Sequence, residues 1–461
     1  MPLYSVERPW ERIVPLFLLA GTGLLIMLWV DNVVPALGHG IPEDDVATDY
    51  KVAFVWAIAL WLVLLAWPLR SSDKRALVHI WLIKVAVSLG AMLFVENHYE
   101  GVDAFMYFGL PRRYDFQWPG FAFGEGTANV LSLSWLHQQI LPNSYHAVKI
   151  SFAMVGLVAI YLFYRTAVRC VDREDVRVLY LLALCPSILY WSSIFGKDPV
   201  ILLGIALYVY GVVGIYTHSR VDLKGLAFAI TLMAGVALAS LFRVWLGPIL
   251  LAPLVVFALF AVRHTVARVF MVIVVAWAFT QAIAKSGDLV AEKVGEQTGG
   301  ATNIATTADL VETIDHIAHS GALGSASEGG SSQAVARFHN VWSMAKFAPL
   351  GAFTALFRPL PGEVLNPFGL LAGLENVVLL ALVVRAMRRA TWTEVRQPLI
   401  LWVITLLVVW SVIYGFASTQ NLGAAVRWKL QVLPLLLGLV CYLGRRRSGQ
   451  GGNALIRPSH R

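Results

Sequence analysis

YWSSIFGKDPVILLG, residues 190–204, sets a lysine, an aspartate and a proline between two strongly apolar runs. The runs extend back to 178 and on to 216, each long enough as a helix to cross a ~30 Å hydrocarbon core. Adjacent full charges there either mark where the chain leaves a bilayer or belong to a site for a charged ligand. Similar runs recur at 13–30, 52–69, 77–95, 147–164, 225–241, 248–262, 269–285, 367–384, 398–417 and 430–443, twelve in all. A lipid-exposed chain must satisfy its own backbone hydrogen bonds, so each run is expected to be helical. The expected fold is therefore all-α: a polytopic membrane helix bundle of about 12 transmembrane helices with a long outer loop.

Composition agrees. Of 461 residues, 58% are hydrophobic and 14% charged, against roughly half and a quarter in soluble domains. The net charge of +8 reads as topology, because basic residues gather in cytoplasmic loops. They are spread between spans rather than concentrated on one surface, which argues against nucleic-acid binding. Cys170, Cys185 and Cys441 show no paired or metal-site spacing. The first span follows MPLYSVERPWER without a small-residue cleavage site and reads as a retained signal-anchor.

With the N-terminus inside, each short cytoplasmic connection holds a basic cluster, such as Arg165/Arg169/Arg173/Arg177 and Arg385/Arg388/Arg389/Arg396. The expected setting is a bacterial inner membrane with both termini cytoplasmic. Three regions are expected: an N-terminal transmembrane bundle (1–285), an outer region with a re-entrant or interfacial helix at 341–358 (286–366), and a C-terminal hairpin region with a basic tail (367–461). Segment 286–340 is rich in Gly, Ala, Ser and Thr and reads as a long outer loop with a short helix near 307–319.

In this topology the polar motifs collect on the outer side. Arg112, Arg113, Lys197, Arg243, Arg358 and Arg427 all fall there, against the usual bias. Four of the cationic motifs, around Lys197, Arg243, Arg358 and Arg427, end different spans and are expected to converge. Arginine suits planar, bidentate recognition of phosphate. In VDAFMYFG, Asp103 and Tyr107 are four apart and share a helix face. Asp103 is the leading candidate base, with Glu100 and Asp45 behind it. Asp198 and Glu363 are expected beside the cations. Lys84 and Glu375 lie inside spans, where charge is costly and seeks partners; a Lys84–Glu375 pair would satisfy both. No spacing names a metal site, although a divalent cation bridging carboxylates and a pyrophosphate is chemically reasonable.

As a set, VDAFMYFG, GEGT, CPSILYWSSIFGKDP, FRVW, LFRPLPGEVLN with LAGLEN, and NLGAAVRWKLQVLP resemble a family of bacterial multi-span proteins found among cell-surface polysaccharide genes. The resemblance covers roughly residues 95–435. The family is similar in style to the C-type membrane glycosyltransferases and to polysaccharide repeat-unit polymerases. In the C-type enzymes an acidic residue of the first outer loop is the base. That resemblance implies Asp103 by its D-A-x-x-Y pattern, while the EDD of 43–45 occupies the first outer loop proper. Family members often have Glu where Asp198 stands, and Arg-Pro-His where Arg243-Val244-Trp245 stands, so only the arginine of that triplet carries over.

The function expected is glycosyl transfer at the outer face of the inner membrane, using a polyprenyl-phosphate- or pyrophosphate-linked sugar. The alternatives are a repeat-unit polymerase and a lipid-linked saccharide transporter or flippase. The partners implied are the lipid carrier, membrane lipid and polysaccharide assembly proteins.

Overall fold

The computed structural model describes Gly23 and residues 25–98, 102–218, 222–261, 265–298, 337–418 and 421–445, together with Val311 and Asp315; for Val266, Ala267 and 286–298 it describes the backbone alone. Glu100, most of the 13–30 run, the 299–336 segment apart from Val311 and Asp315, and Arg446 and Arg447 lie outside the described residues.

The chain runs as α1 (Leu25–Leu37), α2 (Val46–Ala66), α3 (Ser71–His98), α4 (Asp103–Gly109), α5 (Gly126–Ile140) and α6 (Tyr145–Val171). It continues with α7 (Val176–Leu184), α8 (Pro186–Trp191), α9 (Lys197–His218), α10 (Leu223–Phe242), α11 (Leu246–Ala261) and α12 (Thr265–Thr298). The C-terminal part holds α13 (Val341–Phe357), α14 (Pro367–Arg389), α15 (Pro398–Ser418), α16 (Leu422–Lys429) and α17 (Leu433–Leu443). Among the described residues every regular element is a helix. The protein is an all-α polytopic helix bundle, with a main buried apolar core that draws on residues from Val30 to Leu443 and a small separate cluster at Val311 and Phe338.

Among the described residues eight helices are long and apolar enough to cross a membrane, and nine if the bent pair α16–α17 is one span. Of the twelve runs expected, 13–30 lies mostly outside the described residues, and three others take a different form for identifiable reasons. The 178–195 run is broken: Cys185 leaves the helical region at ψ 122° and Pro186 starts a new helix, because proline disfavours helix in the residue before it. The 248–262 and 430–443 runs become the shorter α11 and α17, the latter bent by 67° from α16. Helix α12 continues to Thr298, so the expected loop from 286 begins as helix. Non-helical backbone at membrane depth is tolerated where protein buries it.

The bundle has two distinguishable ends. Arg169, late in α6, lies 4.4 Å from the Phe228 ring and 5.6 Å from that of Tyr210, so late α6, late α9 and early α10 meet at one end. At the other end, a Cβ on Gly126 would sit 2.4 Å from the Phe242 carbonyl and 3.2 Å from Lys197 Cδ, which brings the starts of α5 and α9 to the finish of α10.

Between these ends the turn after α8 presses on α6. A Cβ on Gly156 would lie 2.0 Å from the Ser192 carbonyl oxygen. Gly156→Val is therefore expected to destabilise the protein by about 1–3 kcal/mol through overpacking. Thermal unfolding in detergent checks this against Gly438→Ala, where an added Cβ meets nothing within 4 Å; equal melting temperatures would contradict it.

Candidate functional site

At the end where α5, α9 and α10 meet, Asp198 is 2% exposed and both of its oxygens face guanidinium groups. Arg427 Nε donates to Oδ2 at 2.6 Å, and Arg243 Nη2 lies 3.9 Å from Oδ1. Asp198 occupies the first turn of α9, where a carboxylate is favoured by the unpaired N–H groups of the helix start. Arg427 is carried by α16, whose start is capped by Asn421 Oδ1 accepting from Gly423 N at 2.9 Å and Ala424 N at 3.1 Å. Arg243 follows α10 in extended conformation, with its guanidinium 5.4 Å from the Trp428 ring and 6.0 Å from that of Trp245. Trp245 is fixed in turn by donating to Tyr414 OH at 2.9 Å.

Two further groups complete the cluster. Lys197 Nζ donates to Thr127 Oγ1 at 2.9 Å, and Asp103 Oδ2 lies 3.6 Å from Arg427 Nη1. Asp103 is the first residue of α4, directly after the cap residue Val102, and its side chain is 58% exposed. Tyr107, one turn on, is buried. Burial, and next the Asp103 carboxylate, push its phenol up to about 12. Thr127 owes its place to Asn129, whose amide bonds the Ala122 N–H at 3.0 Å, the Ala122 carbonyl at 2.7 Å and the Leu241 carbonyl at 2.6 Å. That fastens the 120–124 turn to the end of α10.

The cluster thus sets three cations against two carboxylates, one sealed and one open. Asp198 is spent on holding guanidiniums. Asp103 is the carboxylate with access to solvent, beside an arginine whose side chain is itself 24% exposed. Such a pairing can take a proton from a hydroxyl and hold an anion at the same place.

Other candidate residues fall elsewhere. Arg112 pairs with Glu43 at 2.8 Å, and Arg113 is exposed. Asp45 caps α2, accepting from Thr48 N at 3.0 Å and Thr48 Oγ1 at 2.6 Å, and these bonds hold its carboxyl below the usual range. Arg358 bonds Glu363, five residues on, at 2.7 and 2.8 Å. Partial burial works against the Glu363 carboxylate, but the Arg358 bond and the Leu360 N–H hold its carboxyl below the usual range.

Lys84 and Glu375 do not pair with each other. Lys84 Nζ donates to the Ser192 carbonyl at 2.9 Å, Ser192 Oγ at 2.7 Å and Ser193 Oγ at 2.8 Å. Glu375 takes the Ser187 N–H at 2.8 Å and lies 3.5 Å from Lys429. A separate buried set joins Asp49 to His146 and Glu96 to Lys149 at 2.7 Å and Tyr145 OH at 2.6 Å. The rings of Phe105, Phe108 and Phe195 pack on Tyr145 around it.

Trp191 lies 5.6 Å from the Arg427 guanidinium, while Trp118 and Trp135 stack on each other at 5.6 Å. An open cavity of about 340 Å³ is lined by Pro35, His39 and the 43–47 segment and by none of the clustered residues. It is not the site, because Glu43 and Asp45 within it already serve Arg112 and the cap of α2. Among the described residues no group of three His, Cys, Asp or Glu side chains is placed to hold a metal ion. Sequence reasoning missed Thr127, Trp428 and Tyr414; only Trp428, beside Arg427 in RWK, carries a positional signal. Comparison with known proteins finds no matching family model, no matching curated protein and no matching solved structure.

Proposed function

We propose that this chain is an integral membrane glycosyltransferase that uses polyprenyl-phosphate- or pyrophosphate-linked sugars in cell-surface polysaccharide synthesis. It works at the outer face of a bacterial inner membrane, with both termini cytoplasmic. The observation that carries this reading is the open Asp103 carboxylate 3.6 Å from Arg427, in a cluster with Arg243 and Lys197.

The chemistry follows from that arrangement. An acceptor hydroxyl gives its proton to Asp103 as its oxygen bonds to the anomeric carbon of the donor sugar. The bond from that carbon to the donor's phosphate oxygen breaks, and its electron pair leaves with the phosphate. The new negative charge falls beside Arg427, Arg243 and Lys197, cations already in place and needing little reorganisation. Asp198 keeps both guanidiniums aimed. Tyr107, protonated across the physiological range, serves as a hydrogen-bond donor.

A repeat-unit polymerase is the second reading, favoured by the excess of cations over open carboxylate. It is the same transfer with an oligosaccharide as the migrating group. A lipid-linked saccharide transporter would use the same cations without making a bond.

Purified protein in liposomes, supplied with the lipid-linked saccharide that accumulates in cells lacking it, tests the reading. Lengthened saccharide and released carrier phosphate are expected; movement of unchanged donor across the bilayer would favour the transporter. Tyr107→Phe is expected to slow transfer about tenfold, the scale of one hydrogen bond at 1.4 kcal/mol. The pH–rate profile between 6 and 10 should keep its shape, because the phenol titrates only near 12. A limb of the profile that vanishes in Tyr107→Phe would show that the phenol titrates in that range.

A further inference from the structure

We infer that Lys84 and Glu375 are positioning residues for the cluster, holding the half-helix α8 and the turn after it so that Asp198 and Trp191 face Arg427. The arrangement is read from buried hydrogen bonds, and its catalytic importance rests on the transferase reading above.

A helix interrupted inside a bundle leaves carbonyls at its finish and N–H groups at its start without partners. Buried and unpaired, these groups are costly. Here the finish of α8 is met from α3. Lys84 takes the Ser192 carbonyl and both serine hydroxyls, and Ser88 Oγ donates to the Ser193 carbonyl at 2.8 Å. Ser88 lies in the π-helical turn Val87–Ala91, a local widening of a kind often found at functional sites. From the other side, α6 approaches so closely that residue 156 has no room for a side chain. Lys84 is fully buried, and its bonds go to these serines rather than to a carboxylate. Its role is to satisfy this turn. Ser192 and Ser193 are buried completely and out of reach as nucleophiles.

The start of α8 is met from α14. Glu375 accepts from Ser187 N and also approaches Lys429, while the neighbouring Asn376 accepts from Lys429. Lys429 stands two residues after Arg427 on α16. Glu375 therefore ties together the two short helices that carry Trp191 and Arg427.

The fixed turn leads directly into the cluster. Phe195 packs at 6.0 Å against the ring of Tyr107, a Cβ on Gly196 would lie 3.9 Å from Arg427 Nη2, and Lys197 and Asp198 follow. Releasing either end of α8 shifts the phosphate-binding cations relative to Asp103, and a misplacement of about 1 Å can cost roughly a hundredfold in rate.

The test is ¹⁹F NMR of the full-length protein in detergent, labelled with 5-fluorotryptophan. The Trp191 signal is assigned by Trp191→Phe and that of Trp402, buried against Tyr208, by Trp402→Phe. Lys84→Met and Glu375→Gln are each expected to move the Trp191 signal, leave that of Trp402 in place, and lower transfer by ten- to a hundredfold. A merely structural role would broaden or move both signals together. If Lys84→Met does not fold, Glu375→Gln decides, since it keeps an acceptor for Ser187 N–H and loses only the charge. A folded variant whose Trp191 signal stays in place overturns the inference, as does one that moves the signal but transfers at the wild-type rate. Should wild type transfer nothing while the Trp191 shift is seen, the transferase reading fails and the structural coupling stands.

Discussion

Arg427→Ala is expected to abolish transfer to within detection, a loss of about a hundred- to a thousandfold for removing one preorganised donor, and to destabilise the fold as well. Among the described residues Arg427 is the only cation within 3 Å of Asp198, which it reaches at 2.6 Å, whereas Arg243 stands at 3.9 Å. Without it, a carboxylate that is 2% exposed keeps a poorly placed partner, and breaking a buried pair in this way costs about 3–5 kcal/mol. Arg427→Lys is not a rescue. A lysine cannot donate from the Nε position to Asp198 while offering a second nitrogen towards Asp103. The double variant Arg427→Met with Asp198→Asn separates the two effects. Melting temperature is expected to recover in part, because the sealed carboxylate that lost its main partner is now neutral while Arg243, 3.9 Å away, loses its own counter-charge, and transfer is expected to stay lost. Recovery of transfer in the double variant would remove Arg427 from the chemistry.

Asp103→Asn is expected to leave expression and melting temperature close to wild type and to slow transfer by about a hundred- to ten-thousandfold, the range for losing a general base. The contrast with Arg427 comes from exposure. Asp103 is 58% exposed and 3.6 Å from Arg427, so its ion pair contributes little to stability. Cells carrying Asp103→Asn at wild-type protein level should build up the same lipid-linked saccharide as cells without the protein. If they make surface polymer normally, Asp103 is not the base, and the arginine-centred polymerase or the transporter gains.

Much of this architecture is legible in the apolar runs, because a membrane helix announces itself by length alone. The sharing of one helix face by Asp103 and Tyr107 follows from their spacing, and the meeting of Lys197, Arg243 and Arg427 follows from their places at span ends. Arg358 also stands at a span end, and there it holds Glu363, five residues away. Hydropathy is also blind to the break at Pro186. Whether a proline interrupts a span depends on whether other helices can serve the freed backbone groups. Here those helices bring Lys84, Ser88 and Glu375 from far along the chain. Lys84 and Glu375 look like natural partners in the sequence because nothing in it tells which helix faces which.

The bond between Arg427 and Asp198 closes a separation of 229 residues. At ribosomal speeds of about 5–20 residues per second, Asp198 is made roughly 10–50 s before its main partner exists. During that interval the early helices carry an acid with only Arg243 to answer it. The cluster is therefore finished only when α16 has been made. A nascent chain halted before α16 holds Asp198 with Arg243 at 3.9 Å but without the guanidinium that reaches it at 2.6 Å.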